Sequence, residues 1–313
     1  MSFIQTNFYN KIDPSPLQVI RHPQLSTANI TVSIKRDDLL HPDISGNKWR
    51  KLKYNILEAK KRNIKHLISF GGAFSNHIHA LSAAGYHFNF ATTGIIRGET
   101  HYASNPTLSQ AQRWGMKLQF VDRKTYREKE SSDYLHRLKA QYPDAYIIPE
   151  GGSNHLAIPG VEEVVTELLQ QSTKPIDHIF TATGSAGTLS GLISGALKLT
   201  NKTQVHGIAV LKNAHYLTEV LTNFVPKFND LNWHLHTEFH GGGYGKVSAE
   251  LAHFCHQFTQ ETQIPIEPIY TGKMLYALWQ LIDQGYFSPG SHIVAIHTGG
   301  LQGLAGLKQQ KKI

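Results

Sequence analysis

Short apolar runs alternate with longer stretches of helical spacing along nearly the whole chain. The runs HLISF (66–70), FATTGII (90–96), KLQFV (117–121), AYIIP (145–149), DHIFTAT (177–183), VHGIAV (205–210) and HIVAIHT (292–298) are strand-sized. Between them lie WRKLKYNILEAKKR, NHIHALSAAGY, NPTLSQAQRWG, DYLHRLKAQY, VEEVVTELLQQ, TLSGLISGALK and KMLYALWQLIDQG. In the fifth of these, Val161, Val164, Val165, Leu168 and Leu169 recur at three- and four-residue intervals, which predicts one apolar helix face. Regular alternation of this kind predicts an α/β architecture of parallel or mostly parallel twisted sheets flanked by helices.

The glycine- and proline-rich stretch PEGGSNHLAIPG (149–160) parts a first set of strands from a second and predicts two sheets facing a cleft. The length of 313 residues leaves room for two domains, and 40% hydrophobic with 17% charged residues excludes a disordered chain. Cys255 is the only cysteine, so no internal disulfide can form. Its setting, LAHFCHQF, reads as a packing position in a helix rather than a reactive thiol. The opening residues show no basic segment followed by an apolar core, and no run is long enough to span a membrane. A cytoplasmic location is the expectation.

The net charge of +8 is concentrated in KWRKLK (48–53), KKRNIK (60–65) and the KQQKK near the C-terminus. Without any nucleic-acid-binding motif, it reads as solvated helix faces beside an anionic ligand site. His77 and His79 lie two apart on a predicted helix and point in different directions. His253 and His256 could share a face but have no acidic or thiolate companions, so no metal centre is expected.

Four segments carry chemistry. In SGNKWRK (45–51) a lysine stands where a turn hands over to a helix, and a lysine of lowered pKa can form an imine with an aldehyde. In FGGAFSNHIHA (70–80) a strand is expected to end at Phe70, two glycines to turn the chain, and Ser75 and Asn76 to start a helix whose N–H groups can cradle a carboxylate. In TATGSAGTLSGL (181–192) small residues let amides converge on a phosphate at a helix start, although neither G-x-G-x-x-G nor a P-loop is matched. In IHTGGLQG (296–303) a strand ends on the hydroxyl of Thr298, at the sheet edge where ligands bind in α/β folds.

Together and in this order, the four segments resemble those of the fold-type II pyridoxal-phosphate enzymes, which have the fold of the tryptophan synthase β subunit. IKRDDL (34–39) leading into SGNKWRKL, then GGAFSNH, GSAGT, EPIYTGK (267–273) and HTGG are most similar to the subfamily of 1-aminocyclopropane-1-carboxylate deaminases and D-cysteine desulfhydrases, over residues 34–303. The resemblance implies a large pyridoxal-phosphate-binding domain (1–50 and 160–313) and a small domain (51–159). It also implies an amino-acid substrate and a homodimer. Lys48 would hold the cofactor as a Schiff base and move the substrate's α-proton. Asn76 would meet the phenolic oxygen, and Gly184, Ser185, Ala186, Gly187 and Thr188 the phosphate. Thr298 would face the pyridine nitrogen. Ser75, Asn76, His77 and Thr271 would line the substrate, with Tyr270 and Tyr244 as catalytic tyrosines.

Deaminases of the subfamily carry Glu and Leu where this chain has Thr271 and Thr298, whereas desulfhydrases carry hydroxyl residues. The resemblance therefore implies α,β-elimination of D-cysteine or a related β-substituted D-amino acid to pyruvate, ammonia and hydrogen sulfide. Deamination of the cyclopropane amino acid to 2-oxobutanoate is the alternative, followed by β-replacement or racemisation and by a non-catalytic cofactor-binding protein. Three places depart from the family pattern: Phe74 before Ser75, Leu189-Ser190-Gly191-Leu192 after GSAGT, and Lys246-Val247-Ser248 after GGGYG.

Overall fold

The computed structural model describes residues 14–199, 202–225 and 233–313. Its described strands are β1 (Leu17–Ile20), β2 (Thr31–Lys35), β3 (His66–Gly72), β4 (Ala91–Arg97), β5 (Lys117–Val121), β6 (Ala145–Ile147), β7 (His178–Thr183), β8 (Gln204–Ala209), β9 (Trp233–His236) and β10 (His292–Ile296). They form a six-stranded sheet, ordered β1-β2-β10-β7-β8-β9, and a four-stranded sheet, ordered β5-β4-β3-β6. All pairings are parallel except β1 with β2. The first sheet draws on both ends of the chain and the second on its middle, and the predicted α/β class is the one observed.

Five helices bear on the site: α1 (Asn47–Lys61), α2 (Asn76–Phe88), α3 (Ala157–Gln171), α4 (Gly187–Leu199) and α5 (Thr271–Asp283). In α3, Val161, Val164, Val165 and Leu168 are buried, while Leu169 remains 46% exposed. At 100° per residue Leu169 falls at the edge of the apolar arc, so the predicted face is one residue narrower than expected. The four buried side chains contribute about 1.5–3 kcal/mol each by leaving water.

The KWRKLK stretch is not a surface patch. Arg50 forks onto Asp37 (Nη2–Oδ1 2.9 Å) and Glu167 (Nη2–Oε2 2.8 Å), and Lys53 reaches Glu163 at 2.6 Å. Glu163 and Glu167 both stand on α3, so these two pairs clamp α1 to it, and the helices pack tightly at Gly160, where a Cβ would lie 2.0 Å from the Arg50 carbonyl oxygen. Cys255 is buried as expected, and burial pushes its thiol pKa up to about 12.

A row of imidazoles crosses β7, β8 and β9. His178 Nδ1 and His206 Nε2 are 3.0 Å apart, and His206 Nδ1 and His236 Nε2 3.1 Å. The buried His206 ring stacks on Phe180 with centroids 4.3 Å apart. Burial, with the neighbouring histidines, lowers its pKa to about 2.

Candidate active site

The carboxyl ends of both sheets converge on the start of α1. Gly46 precedes this helix at φ +67°, and a Cβ there would lie 2.0 Å from the Thr298 carbonyl oxygen. The Ser-Gly-Asn-Lys turn therefore packs backbone to backbone on the His-Thr-Gly-Gly turn, and Asn47 N donates to Thr298 O at 3.2 Å. Only glycine fits this contact.

Lys48 lies in the first turn of α1, and Lys51 follows three residues later on the same face. Burial lowers the Lys48 pKa to about 8. Burial and the neighbouring Lys48 push Lys51 well below its ordinary range. Lys51 Nζ donates to Ser153 Oγ (3.1 Å) and Ser185 Oγ (3.4 Å), and those two hydroxyls are 2.9 Å apart. Among the described residues no carboxylate bonds to either ammonium group.

The predicted phosphate turn, Gly184 to Thr188, closes over this pair. Ala186 takes φ +60°, and α4 starts at Gly187. Asn47 Nδ2 donates to Thr188 Oγ1 at 2.8 Å, tying the lysine segment to the glycine-rich turn. Two lysines and a helix N-terminus, with no protein anion between them, form a cradle for a doubly charged phosphate.

On the opposite wall, β3 continues through both glycines to Gly72, two residues beyond the expected end at Phe70. The parallel register with β4 persists to Gly72 opposite Arg97, because these glycines keep extended pairing. Ser75 caps α2, accepting from Ile78 N at 3.3 Å. Asn76 Oδ1 accepts from Gln302 Nε2 at 2.9 Å, next to Gly300.

His77 turns inward from Ser75 and Asn76. Its Nε2 is 2.7 Å from Ser69 Oγ, whose proton goes to Ile148 O at 2.7 Å, so Nε2 carries hydrogen and Nδ1 a lone pair. That Nδ1 is buried without a partner and lies beside Gly152. Burial, Lys48 and Lys51 all lower the His77 pKa, so the ring is neutral.

The third wall comes from the late segments. Thr271 Oγ1 and Thr298 Oγ1 are 3.3 Å apart and buried. Tyr270 and Tyr244 touch through their hydroxyls at 3.3 Å, and Tyr270 also lies against Gly184. Behind them the buried Glu267 carboxylate accepts from Ile269 N (2.7 Å), Tyr270 N (3.0 Å) and Thr271 N (2.7 Å). Burial nevertheless pushes its pKa up to about 7.

Contacts join the four chemistry-bearing segments to one another, Asn47 to Thr298 and Thr188, Thr271 to Thr298 and Asn76 to Gln302, while His77 points inward to Ser69. Sequence reasoning missed Lys51, Ser153, Glu267 and Gln302. The signal for Lys51 was its three-residue spacing from Lys48 on a helix.

Among the described residues one group of metal-ligand type occurs, His41, Asp43 and His87. His41 Nδ1 accepts from Asp43 N and Ile44 N, which leaves the proton on Nε2 and no free lone pair for a metal.

A family model described as pyridoxal-phosphate dependent enzyme matches residues 10–299. A provisionally named 1-aminocyclopropane-1-carboxylate deaminase of Pyrococcus horikoshii is 31% identical over 280 residues, 87% of this chain and 85% of that one. A D-cysteine desulfhydrase of Klebsiella pneumoniae is 28% identical over 93% of both chains. A solved structure described as an ACC deaminase homologue superposes with a TM-score of 0.85 at 27% identity, covering 99% of this chain and 98% of that one. The lysine pair and the glycine-rich turn fit the aldehyde and phosphate ends of the cofactor that such proteins carry. The chain belongs to the pyridoxal-phosphate dependent enzymes, with the fold-type II architecture and pyridoxal 5'-phosphate as its cofactor.

Proposed function

We propose that this enzyme is a lyase that eliminates the β-substituent of D-cysteine, or of a related β-substituted D-amino acid, giving pyruvate, ammonia and hydrogen sulfide. Relatives named D-cysteine desulfhydrase and 1-aminocyclopropane-1-carboxylate deaminase support this reading and its alternative, ring opening to 2-oxobutanoate. The observation that favours desulfhydration is the buried pair of threonines, Thr271 and Thr298. A neutral hydroxyl does not hold a pyridine nitrogen protonated as a carboxylate would. Glu267, the carboxylate behind them, is committed to three backbone amides. A site of this kind suits substrates with a good leaving group on Cβ.

Pyridoxal phosphate, when bound, supplies an aldehyde for the amino group and a conjugated ring that accepts electron density from Cα. Lys48 anchors it. With a pKa near 8, Lys48 has an appreciable unprotonated fraction at neutral pH and can take the proton from Cα. Lys51, Ser153 and the Gly184, Ser185, Ala186, Gly187 and Thr188 turn hold the phosphate, and Asn76 the phenolic oxygen. Ser75 and the first amides of α2 hold the substrate carboxylate. Tyr270 and Tyr244 offer hydroxyls toward the reacting carbons, and buried neutral His77 keeps a further charge away from the lysines.

The two sheets support a division into a large domain, 1–50 with 160–313, and a small domain, 51–159. The assembly we propose is a cytoplasmic homodimer. No helix of the described residues is long and apolar enough to cross a membrane.

The test gives the holoenzyme D-cysteine, L-cysteine and 1-aminocyclopropane-1-carboxylate separately and follows 2-oxoacid, sulfide and the cofactor's visible absorption band. Pyruvate and sulfide from D-cysteine alone, with a band that Lys48→Ala abolishes, is the expected result. Release of 2-oxobutanoate from the cyclopropane would establish the alternative. A Lys48-dependent band without any product would overturn the substrate assignment.

A further inference from the structure

Lys273 lies in the first turn of α5 and is buried. Both conditions work against a cation, because burial strips its water and a helix start repels positive charge. Among the described residues no carboxylate forms an ion pair with it. Its Nζ instead donates to two backbone carbonyls, His240 O at 2.8 Å and Gly243 O at 2.7 Å. The same two oxygens close consecutive turns, accepting from Gly243 N at 3.1 Å and Lys246 N at 3.2 Å. In this loop Gly241, Gly242, Gly243 and Gly245 all take positive φ, from +58° to +112°. Glycines have many conformations open to them and no side chains to choose among them, so the loop's shape is imposed from outside. The Lys273 stem packs on Gly241, whose Cβ position is 3.4 Å from Cε. The loop carries the half-exposed Tyr244, whose hydroxyl accepts from the Tyr270 hydroxyl at 3.3 Å and whose ring meets Tyr270 edge-on at 5.9 Å. Tyr270 in turn lies 3.3 Å from the Cβ position of Gly184 in the phosphate turn. One helix start therefore presents Tyr270 to Tyr244 and Lys273 to the loop that bears it. A second lysine, Lys312, bonds Gly245 O at 3.1 Å, but from the solvent side.

We propose that Lys273 is a positioning residue for the reaction: it gathers the His240 and Gly243 carbonyls and thereby holds Tyr244 in place on Tyr270. Lys273 acts through the loop rather than on the substrate. The inference rests on the reading of Tyr244 as a catalytic tyrosine.

Amide hydrogen exchange of the holoenzyme, read by mass spectrometry over residues 240–246, tests the clamp without any substrate. Lys273→Met keeps the stem and removes the donors. Exchange at Gly243 and Lys246 is then expected to speed about tenfold or more, while β10 keeps its protection. On whichever of the three amino acids the enzyme turns over, kcat is expected to fall about tenfold or more. The cofactor's visible band and affinity are expected to be retained. Tyr244→Phe is expected to lower kcat by itself, and adding Lys273→Met to lower it little further, because both act through one side chain. Lys312→Ala, which removes the solvent-side bond, is expected to change exchange and kcat by less than about twofold. Unchanged exchange in Lys273→Met, or an equal acceleration in Lys312→Ala, overturns the clamp. Faster exchange with unchanged kcat, or losses that multiply in the double variant, overturns its part in the reaction. Tyr244→Phe with undiminished kcat removes the catalytic reading of Tyr244, and the inference with it.

Discussion

His206 allows a stability change to be worked from one side chain. Its ring is fully buried, and its pKa is lowered to about 2, whereas an unfolded histidine titrates near 6.5. Above pH 6.5 the ring is neutral in both states and costs nothing. Below it the unfolded chain takes up a proton that the folded chain refuses, so stability falls as pH falls toward 2. At pH 5 the gap of about 1.5 units corresponds to about 2 kcal/mol. Glu267 acts oppositely: its pKa is raised to about 7, so its contribution is complete below about 4.5 and declines as pH rises through 7. The pH profile of the whole protein therefore mixes terms of both signs, and only a difference between two proteins isolates His206. In His206→Leu the ring is replaced by an apolar group of similar size that cannot ionise. The variant also loses the bonds to His178 and His236, so it is expected to be about 1–3 kcal/mol less stable at pH 8. That deficit is expected to shrink by about 2 kcal/mol at pH 5. Urea unfolding followed by circular dichroism at pH 8, 6.5 and 5 measures it. A deficit that stays constant across this range would refute the argument.

Lys51→Met removes one ammonium group from the phosphate cradle while sparing Lys48; cofactor affinity is expected to fall on the order of a hundredfold, read by equilibrium dialysis. Gly46→Ala places a methyl group against the Thr298 carbonyl at a left-handed φ; a cost of about 2–5 kcal/mol and poor cofactor retention are expected, checked by thermal unfolding and absorbance. Glu267→Gln turns an amide N–H₂ toward backbone donors, at about 1–3 kcal/mol. Its kcat is expected to fall about tenfold or more because Tyr270 and Thr271 lose their anchor, while the cofactor absorbance persists.

Seven strands and seven helices were legible because a buried parallel strand is a continuous apolar run and an amphipathic helix repeats at three and four. The strands β1, β2 and β9 were not. β2 carries Ser33 and Lys35 into the interior, where His292 and Glu167 satisfy them, and those polar residues broke the apolar signal. β9 has only four residues at a sheet edge, two of them histidines. In the site, residues in glycine-bearing motifs could be found, since such motifs announce a backbone geometry. Ser153 and Gln302 stand in such stretches too, but nothing local marks them, because their partners Lys51 and Asn76 come from other segments of the chain. Arg50 and Lys53 looked like surface charge because their partners, Asp37, Glu163 and Glu167, include two that are more than a hundred residues away.

The lysine pair also makes cofactor loading a proton-coupled event. Burial depresses both lysines and Lys48 depresses Lys51 further, so near neutrality the cradle holds fewer than two ammonium protons. An arriving phosphate restores the pKa of Lys51 and draws a proton from the buffer. Heats of cofactor binding should accordingly vary with the ionisation enthalpy of the buffer, and affinity should weaken as the solution is made more alkaline. Inorganic phosphate or sulfate would enter the same cradle, so the rate of reconstitution depends on which anion the apoprotein was purified in.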